Sequence, residues 1–303
     1  MNQIPQGEDP TVIFLHIGKT AGSTVRRIVA RQFPSSQTLE LYARHPPSPV
    51  RQEALESPPP AERAPREESL AAFGRLPLEQ RAACRLLLGH TVFGIHESIP
   101  RPCTYVTFLR DPYRLLPSQW TYIRSTPSHR LYDAVRRMSL SEFAQSGVTI
   151  NTDNSQTRAL SGAVGVPFGG CDEDMLGRAK ENIDRWFSAV GITERFDESL
   201  LALQEAFGWS RLHYVSVNVS RSAARPEMSN EDRDLIAELN RFDLELYRYA
   251  NDRLDATLAA VPDVEAALAR LRRRNALYRP IGVLTQSLRF RLRKALRTTM
   301  ARG

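Results

Sequence analysis

Short, continuous apolar runs, each broken off by small or polar residues, recur along the first two-thirds of this chain. Val12-Ile-Phe-Leu15 is uniformly apolar and rich in β-favouring residues, the pattern of a fully buried strand. Gly18 and Gly22 then bracket a tight turn, and Val25 to Arg31 continues as a helix. Leu86-Leu-Leu-Gly89 and Tyr105-Val-Thr-Phe-Leu109 are runs of the same kind, and the second leads through Arg110-Asp111-Pro112 into another helix. Gly191-Ile192 ends a further strand, with a helix entered through Asp197. Strands that turn directly into helices predict an α/β fold with a parallel sheet.

The first turn has the chemistry of an anion site. A strand that turns on small residues into a helix aims several backbone N–H groups, and the positive end of the helix dipole, at one spot. Lys19 adds a point charge there, and Thr20, Ser23 and Thr24 add hydroxyls. Gly18-Lys19-Thr20 looks like the end of a nucleotide triphosphatase loop, but that loop needs a glycine five residues earlier, where Ile13 stands. A GxGxxG is also absent, so a dinucleotide site gets little support. The lysine comes first, directly after the strand, with the small residues behind it.

That arrangement, His16-Ile-Gly-Lys-Thr-Ala-Gly-Ser-Thr24, resembles the 5′-phosphosulfate loop of carbohydrate sulfotransferases dependent on PAPS (3′-phosphoadenosine 5′-phosphosulfate), H-I-P-K-T-G-G-[ST]-[ST]. Gly18 replaces the proline and Ala21 the first glycine, both small. A second motif, Tyr105 to Ser118, resembles the family's F-[LIV]-R-[DN]-P-x-x-R-x-x-S element, and the resemblance implies that Arg110 and Ser118 bind the 3′-phosphate. Pro117 within that helix predicts a kink near Ser118. The family further implies a P-loop NTPase-like three-layer fold, a central parallel sheet flanked by helices, with the cofactor at the strand carboxyl ends and bound by Lys19, Thr20, Ala21, Gly22, Ser23 and Thr24.

The Gly89-His90 segment lies between the two motifs, as a similar Gly-His does in heparan and dermatan sulfate 2-O-sulfotransferases, where the histidine is the catalytic base. His90 inherits that role, with Lys19 stabilising the leaving nucleotide; His96 is the reserve candidate, and His16 is assigned to shaping the loop. Three later segments extend the resemblance to about Asp252. Asn154 to Gly162 resembles N-x-Q-[TV]-R-x-[LI]-[SC]-G, and Gly191 to Leu200 resembles a structural V-G-[LIV]-T-E element. Val217 to Pro226 resembles a late loop that places Arg221 or Arg225 near phosphate, Arg225 being the one taken as cofactor-binding.

Composition adds a soluble, cytoplasmic expectation. The 303 residues suffice for one large domain, assigned to 1–262, and the N-terminus shows neither a basic leader nor an apolar anchor of the kind found in animal Golgi members. Together with the use of arginine over lysine, this suggests a bacterial source. Cys84, Cys103 and Cys171 have no ligand spacing, and the chemistry requires no metal. Prolines crowd an insertion at about 41–77, read as a surface loop with a short helix near Glu67 to Phe73. In the tail, 263–303, the stretch from Arg270 to Arg302 holds ten arginines, Lys294 and no acid, a charge of +11; against a formal total of +7, the body carries about −4. Leu284, Leu288, Leu292, Leu296 and Met300 form a helical stripe there, suited to packing on the domain or to contact with an anionic membrane or acidic glycan. The body's acidity and the lack of a recognition motif argue against nucleic acid. The reading is a PAPS-dependent sulfotransferase (EC 2.8.2 class) acting on a hydroxyl, most simply of a carbohydrate, as polysaccharide, glycolipid or glycosylated metabolite. A small-molecule kinase of P-loop type and a non-catalytic anion-binding relative stay open beside it.

Overall fold

The computed structural model describes residues 9–41, 73–215 and 228–280. Five strands form one sheet: β1 (Thr11–Leu15), β2 (Thr38–Leu41), β3 (Leu86–Gly89), β4 (Cys103–Leu109) and β5 (Phe187–Ile192). All pairings are parallel, and the order is β2-β3-β1-β4-β5. In chain order the helices are α1 (Gly22–Ala30), α2 (Leu78–Ala83), α3 (Pro112–Arg124), α4 (Tyr132–Val135), α5 (Leu140–Gln145), α6 (Ser155–Ser161), α7 (Glu173–Trp186), α8 (Phe196–Phe207), α9 (Asn230–Leu239) and α10 (Arg241–Ala259).

The strand runs are uniformly apolar because both faces of the sheet are covered. Val12 and Phe14 pack with Val25, Ile28 and Val29 of α1 and Leu200 and Leu203 of α8. Ile13 and Leu15, pointing the other way, pack with Met175, Ala179 and Ile183 of α7 and Leu246 and Ala250 of α10. These are the three layers that the sequence predicts. A third apolar cluster joins α3, α4, α5 and α9 through Leu116, Ile123, Val135, Phe143 and Ile236, and so braces α3 from the side.

The winding sets the position of the site. After β1 the chain goes to β2 on one side, and after β3 it crosses to β4 on the other. The direction reverses between β1 and β4, so the loops leaving these two strands diverge and open a crevice at the carboxyl edge.

Local boundaries differ from expectation in three places. α1 starts at Gly22 rather than Val25, because the loop is already in helical register there. α3 runs unbroken from Pro112 to Arg124 through Pro117, entered by Asp111, whose side chain accepts from the Tyr113 N–H. α8 is entered at Arg195, and Asp197 lies inside its first turn. The helix near Glu67, the leucine stripe from Leu284 and the loop holding Arg221 and Arg225 lie outside the described residues. Helical residues 264–280 bury Leu268 and Leu271 in the two sheet-facing cores, so the start of the arginine-rich tail packs on the sheet layers. Among the described residues no helix is long and apolar enough to cross a membrane.

Candidate active site

The loop after β1 is a concave set of backbone amides. Lys19 has φ 68° and Ala21 φ 61°, whereas Gly18, Thr20 and Gly22 have no positive φ. Alternation of left-handed with ordinary residues turns successive N–H groups toward one side, the geometry of an anion nest. α1 opens directly out of it. Its N-cap is Ala21, which makes no side-chain cap, and of the first-turn amides that of Thr24 donates back to the Ala21 carbonyl at 2.9 Å. The Thr20 hydroxyl is spent on the loop itself, donating to the Ile17 carbonyl at 2.9 Å. Thr20 therefore offers only its amide, while Ser23 is exposed and Thr24 buried.

Gly22 is required by contact rather than by φ. A Cβ there would lie 1.8 Å from Nε2 of His16, whose buried ring forms the floor of the loop. A Cβ at Gly18, by contrast, would meet nothing within 4 Å. The loop is narrow at one glycine and open at the other.

Two cations meet in the crevice. Nη1 of Arg110, just past β4, donates to the Lys19 carbonyl at 2.9 Å. Burial, and then the Arg110 charge, push the Lys19 pKa below that of an ordinary lysine. Lys19 Nζ sits over the Tyr122 ring of α3, 4.1 Å from its centroid. Ser118, two turns into α3 from Arg110, is half-buried on the same helix. An anion placed between Lys19 and Arg110 relieves their repulsion, so the pair has the electrostatics of a phosphate-type site.

Arg110 is held by residues that sequence reasoning treated as background. Gln156 accepts the Arg110 N–H at 2.8 Å and donates to its carbonyl at 2.9 Å. Glu194 approaches Arg110 Nε at 3.6 Å, accepts the Asp111 N–H at 3.3 Å, and accepts from the Tyr247 hydroxyl at 3.2 Å. Burial, and then the Glu194 charge, push Tyr247 up to about 12. Beneath lies a reciprocal cap: Asp243, fully buried, accepts the N–H groups of Gln156 and Thr157, while Asn154 accepts those of Phe242 and Asp243. The motif's Arg158 points away, buried against Asp153 and the carbonyls of Val166 and Pro167. The signal for Gln156 and Glu194 was present in their motifs, but their partner Arg110, just past β4, was not readable from it.

The two candidate bases differ in tautomer. His90, at the end of β3, directs Nδ1 to the His16 carbonyl at 2.8 Å. A carbonyl only accepts, so Nδ1 carries the hydrogen and Nε2 the lone pair of a base. His96 is reversed. The Tyr105 hydroxyl accepts the N–H groups of Gly94 and His96, so its own hydrogen goes to His96 Nδ1 at 2.9 Å. His96 also packs on Trp186, with centroids 4.0 Å apart, and burial lowers its pKa. Half-buried among these rings, His96 has Nδ1 as its acceptor and Nε2 as its donor.

Comparison with known proteins gives the family. The galactose-3-O-sulfotransferase family model matches residues 2–289. Galactosylceramide sulfotransferase of Mus musculus is 28% identical over 181 residues, 56% of this chain and 43% of the relative. Its Bos taurus counterpart is 28% identical over 191 residues, 59% of this chain and 45% of the relative. Galactose-3-O-sulfotransferase 2 of Homo sapiens is 26% identical over 176 residues, 55% and 43% of the two chains. The chain thus spans less than half the length of these curated relatives. The similarity corrects three expectations. The galactose 3-O type replaces the heparan and dermatan 2-O type. The relatives are mammalian proteins, which overturns the bacterial source and the cytoplasmic placement inferred with it.

Proposed function

Because this chain belongs to the galactose-3-O-sulfotransferase family, we propose that it transfers a sulfuryl group from PAPS to a hydroxyl of a galactose-bearing acceptor, a glycolipid headgroup or a glycan. The observation that carries this reading is the bond between the two motifs, Arg110 Nη1 to the Lys19 carbonyl at 2.9 Å. It puts an amide nest with a lysine on one side of the β1–β4 crevice and an arginine fork on the other. A nucleotide with phosphate groups at both ends fits two such centres better than a single anion does.

In this reading the N–H groups of residues 19–23 at the α1 N-terminus, with the Ser23 and Thr24 hydroxyls, hold the 5′-phosphosulfate end. Arg110 and Ser118 hold the 3′-phosphate, and PAPS when bound supplies the activated sulfuryl group. Nε2 of His90 takes the proton of the acceptor hydroxyl, a contribution of about 10²–10⁴-fold for a positioned general base. Lys19 and the fixed amides stabilise the charge that develops as the bond to the nucleotide breaks.

The test is calorimetric titration of PAP, the desulfonated nucleotide, into the wild type and Arg110→Ala, followed by turnover with labelled PAPS and galactosylceramide. Binding by the wild type that weakens at least about 100-fold in the variant, with label appearing on the lipid, supports the proposal. Failure of the wild type to bind PAP while it binds ATP with Mg²⁺ overturns it.

A further inference from the structure

The mechanism above leaves one buried ring without a task. His16 is 9% exposed and lies at the meeting point of the donor loop and the base. Its ring stacks on Phe14, with centroids 5.4 Å apart and planes at 16°, and on its other neighbour His90 at 4.2 Å and 29°. The same ring lies under Gly22, where an added Cβ would come within 1.8 Å of Nε2 and 2.0 Å of Cδ2. The main chain of His16 is engaged as well: its N–H donates to the Gly89 carbonyl at 2.9 Å, and its carbonyl takes the His90 Nδ1 hydrogen at 2.8 Å. One residue therefore touches the amide nest from below and fixes the base from the side.

We propose that His16 is a positioning residue that sets the plane of the His90 ring and ties it to the donor loop, so that the base and the sulfuryl donor are held in one register. This rests on the reading of His90 as the base. The work is done by the shape of the ring and not by its proton. Burial, then the charges of His90 and Arg26, hold the His16 pKa down to about 2, so the ring is neutral at any working pH. A neutral plate leaves His90 able to accept a proton, whereas a cation in the same place would oppose it. The stack also explains why Gly22 tolerates no side chain: the plate must come close to α1 to reach His90.

The experiment separates the two contacts of the ring. His16→Ala removes the plate; Gly22→Ala drives a methyl group into it; the double variant His16→Ala/Gly22→Ala lets that methyl occupy the vacated space. PAP affinity is read by calorimetry, and kcat and KM for PAPS are read with galactosylceramide as acceptor. Gly22→Ala alone is expected to lose PAP binding by about 100-fold or more. The double variant recovers affinity to within about tenfold of wild type, yet its kcat stays down by about 100-fold, the penalty of a base misplaced by about 1 Å. His16→Phe, which restores a plate without ring nitrogens, recovers kcat to within about tenfold.

A double variant with wild-type kcat, or a His16→Phe no better than His16→Ala, overturns the proposal. The base reading fails separately: His90→Ala with undiminished kcat removes it, whereas an inactive His90→Ala beside a fully active double variant removes only the role of His16. Should His16→Ala fold poorly, His16→Leu replaces it, filling the space without a flat ring: kcat down by about 100-fold with PAP affinity kept within about tenfold supports the proposal, and wild-type kcat overturns it.

Discussion

Gln156 grips the main chain of Arg110 from both sides, its Oε1 on the Arg110 N–H at 2.8 Å and its Nε2 on the Arg110 carbonyl at 2.9 Å. Because Arg110 follows the last residue of β4, these two bonds continue the strand's pairing past the end of the sheet and fix where the guanidinium starts. Asp243 in turn fixes Gln156 through its N–H at 3.0 Å. Gln156→Ala is expected to weaken PAP binding by about tenfold or more and to lower stability by about 1–3 kcal/mol, the cost of two orphaned main-chain groups. Calorimetry and urea denaturation measure both. Unchanged PAP affinity would show that Arg110 needs no such support.

Ala21 should respond in opposite ways to a smaller and to a larger side chain. Ala21 sits at φ 61°, where a Cβ costs about 1–2 kcal/mol. Ala21→Gly should therefore be neutral to stabilising by about 1 kcal/mol, after the extra chain entropy of glycine, with PAP affinity retained. Ala21→Val should destabilise by about 1 kcal/mol or more, since a β-branched residue is poorly tolerated there. Denaturation midpoints of the two variants check the sign.

His16 gives the fold an acid-sensitive limb. Unfolded, it takes a proton near 6.5; folded, it resists protonation down to about 2. Below pH 6.5 the unfolded chain thus binds one proton more than the folded chain, and stability falls with pH by about 1.4 kcal/mol per unit from this group. His16→Phe should flatten that slope between about pH 6.5 and 5, by about 2 kcal/mol over the interval. Parallel stability curves for wild type and His16→Phe would refute the assignment.

Arg158 and Asp153 form a buried ion pair, each side chain 4% exposed, that also gathers the Gly169 N–H at 2.7 Å. Asp153→Asn leaves the guanidinium buried without its counter-charge and should cost about 3–5 kcal/mol. The folded fraction should still bind PAP with wild-type affinity, because Arg158 faces away from the crevice. A specific loss of PAP affinity in the folded variant would place Arg158 in the phosphate site instead.

Lys19 supplies an alkaline limb. Burial and the Arg110 charge lower its pKa, so its positive charge is lost at a lower pH than for a free lysine. PAP affinity should decline across that range as pH rises, since only the charged form attracts the nucleotide. In Lys19→Arg, whose guanidinium stays protonated, the decline should vanish even if absolute affinity is lower. A decline of the same shape in Lys19→Arg would assign it to another group.

The chain's own residues made the loop and both cofactor motifs legible, since their signals are local. Val12 to Leu15 reads as a buried strand from its shortness and β-favouring residues, and the glycines that follow read as a tight turn into the next helix. The carriers of Arg110 were not legible, because Gln156 lies 46 residues from it and Glu194 acts from the end of a strand that joins the sheet only after α7. The inward turn of the Thr20 hydroxyl, which donates to the Ile17 carbonyl, was not legible either, because it depends on the folded shape of the loop.

By itself the sequence determined the α/β class, the strand–loop–helix turn after β1 and the Arg-Asp-Pro element. Each is encoded in residues close along the chain, where backbone propensity, apolar pattern and side-chain chemistry act together. Only the tertiary structure assigned tautomers to His90 and His96, because a tautomer is set by whichever group faces each ring nitrogen. His90 meets the carbonyl of His16 on an adjacent strand end and is left basic at Nε2; His96 meets a hydroxyl that must donate, and is not.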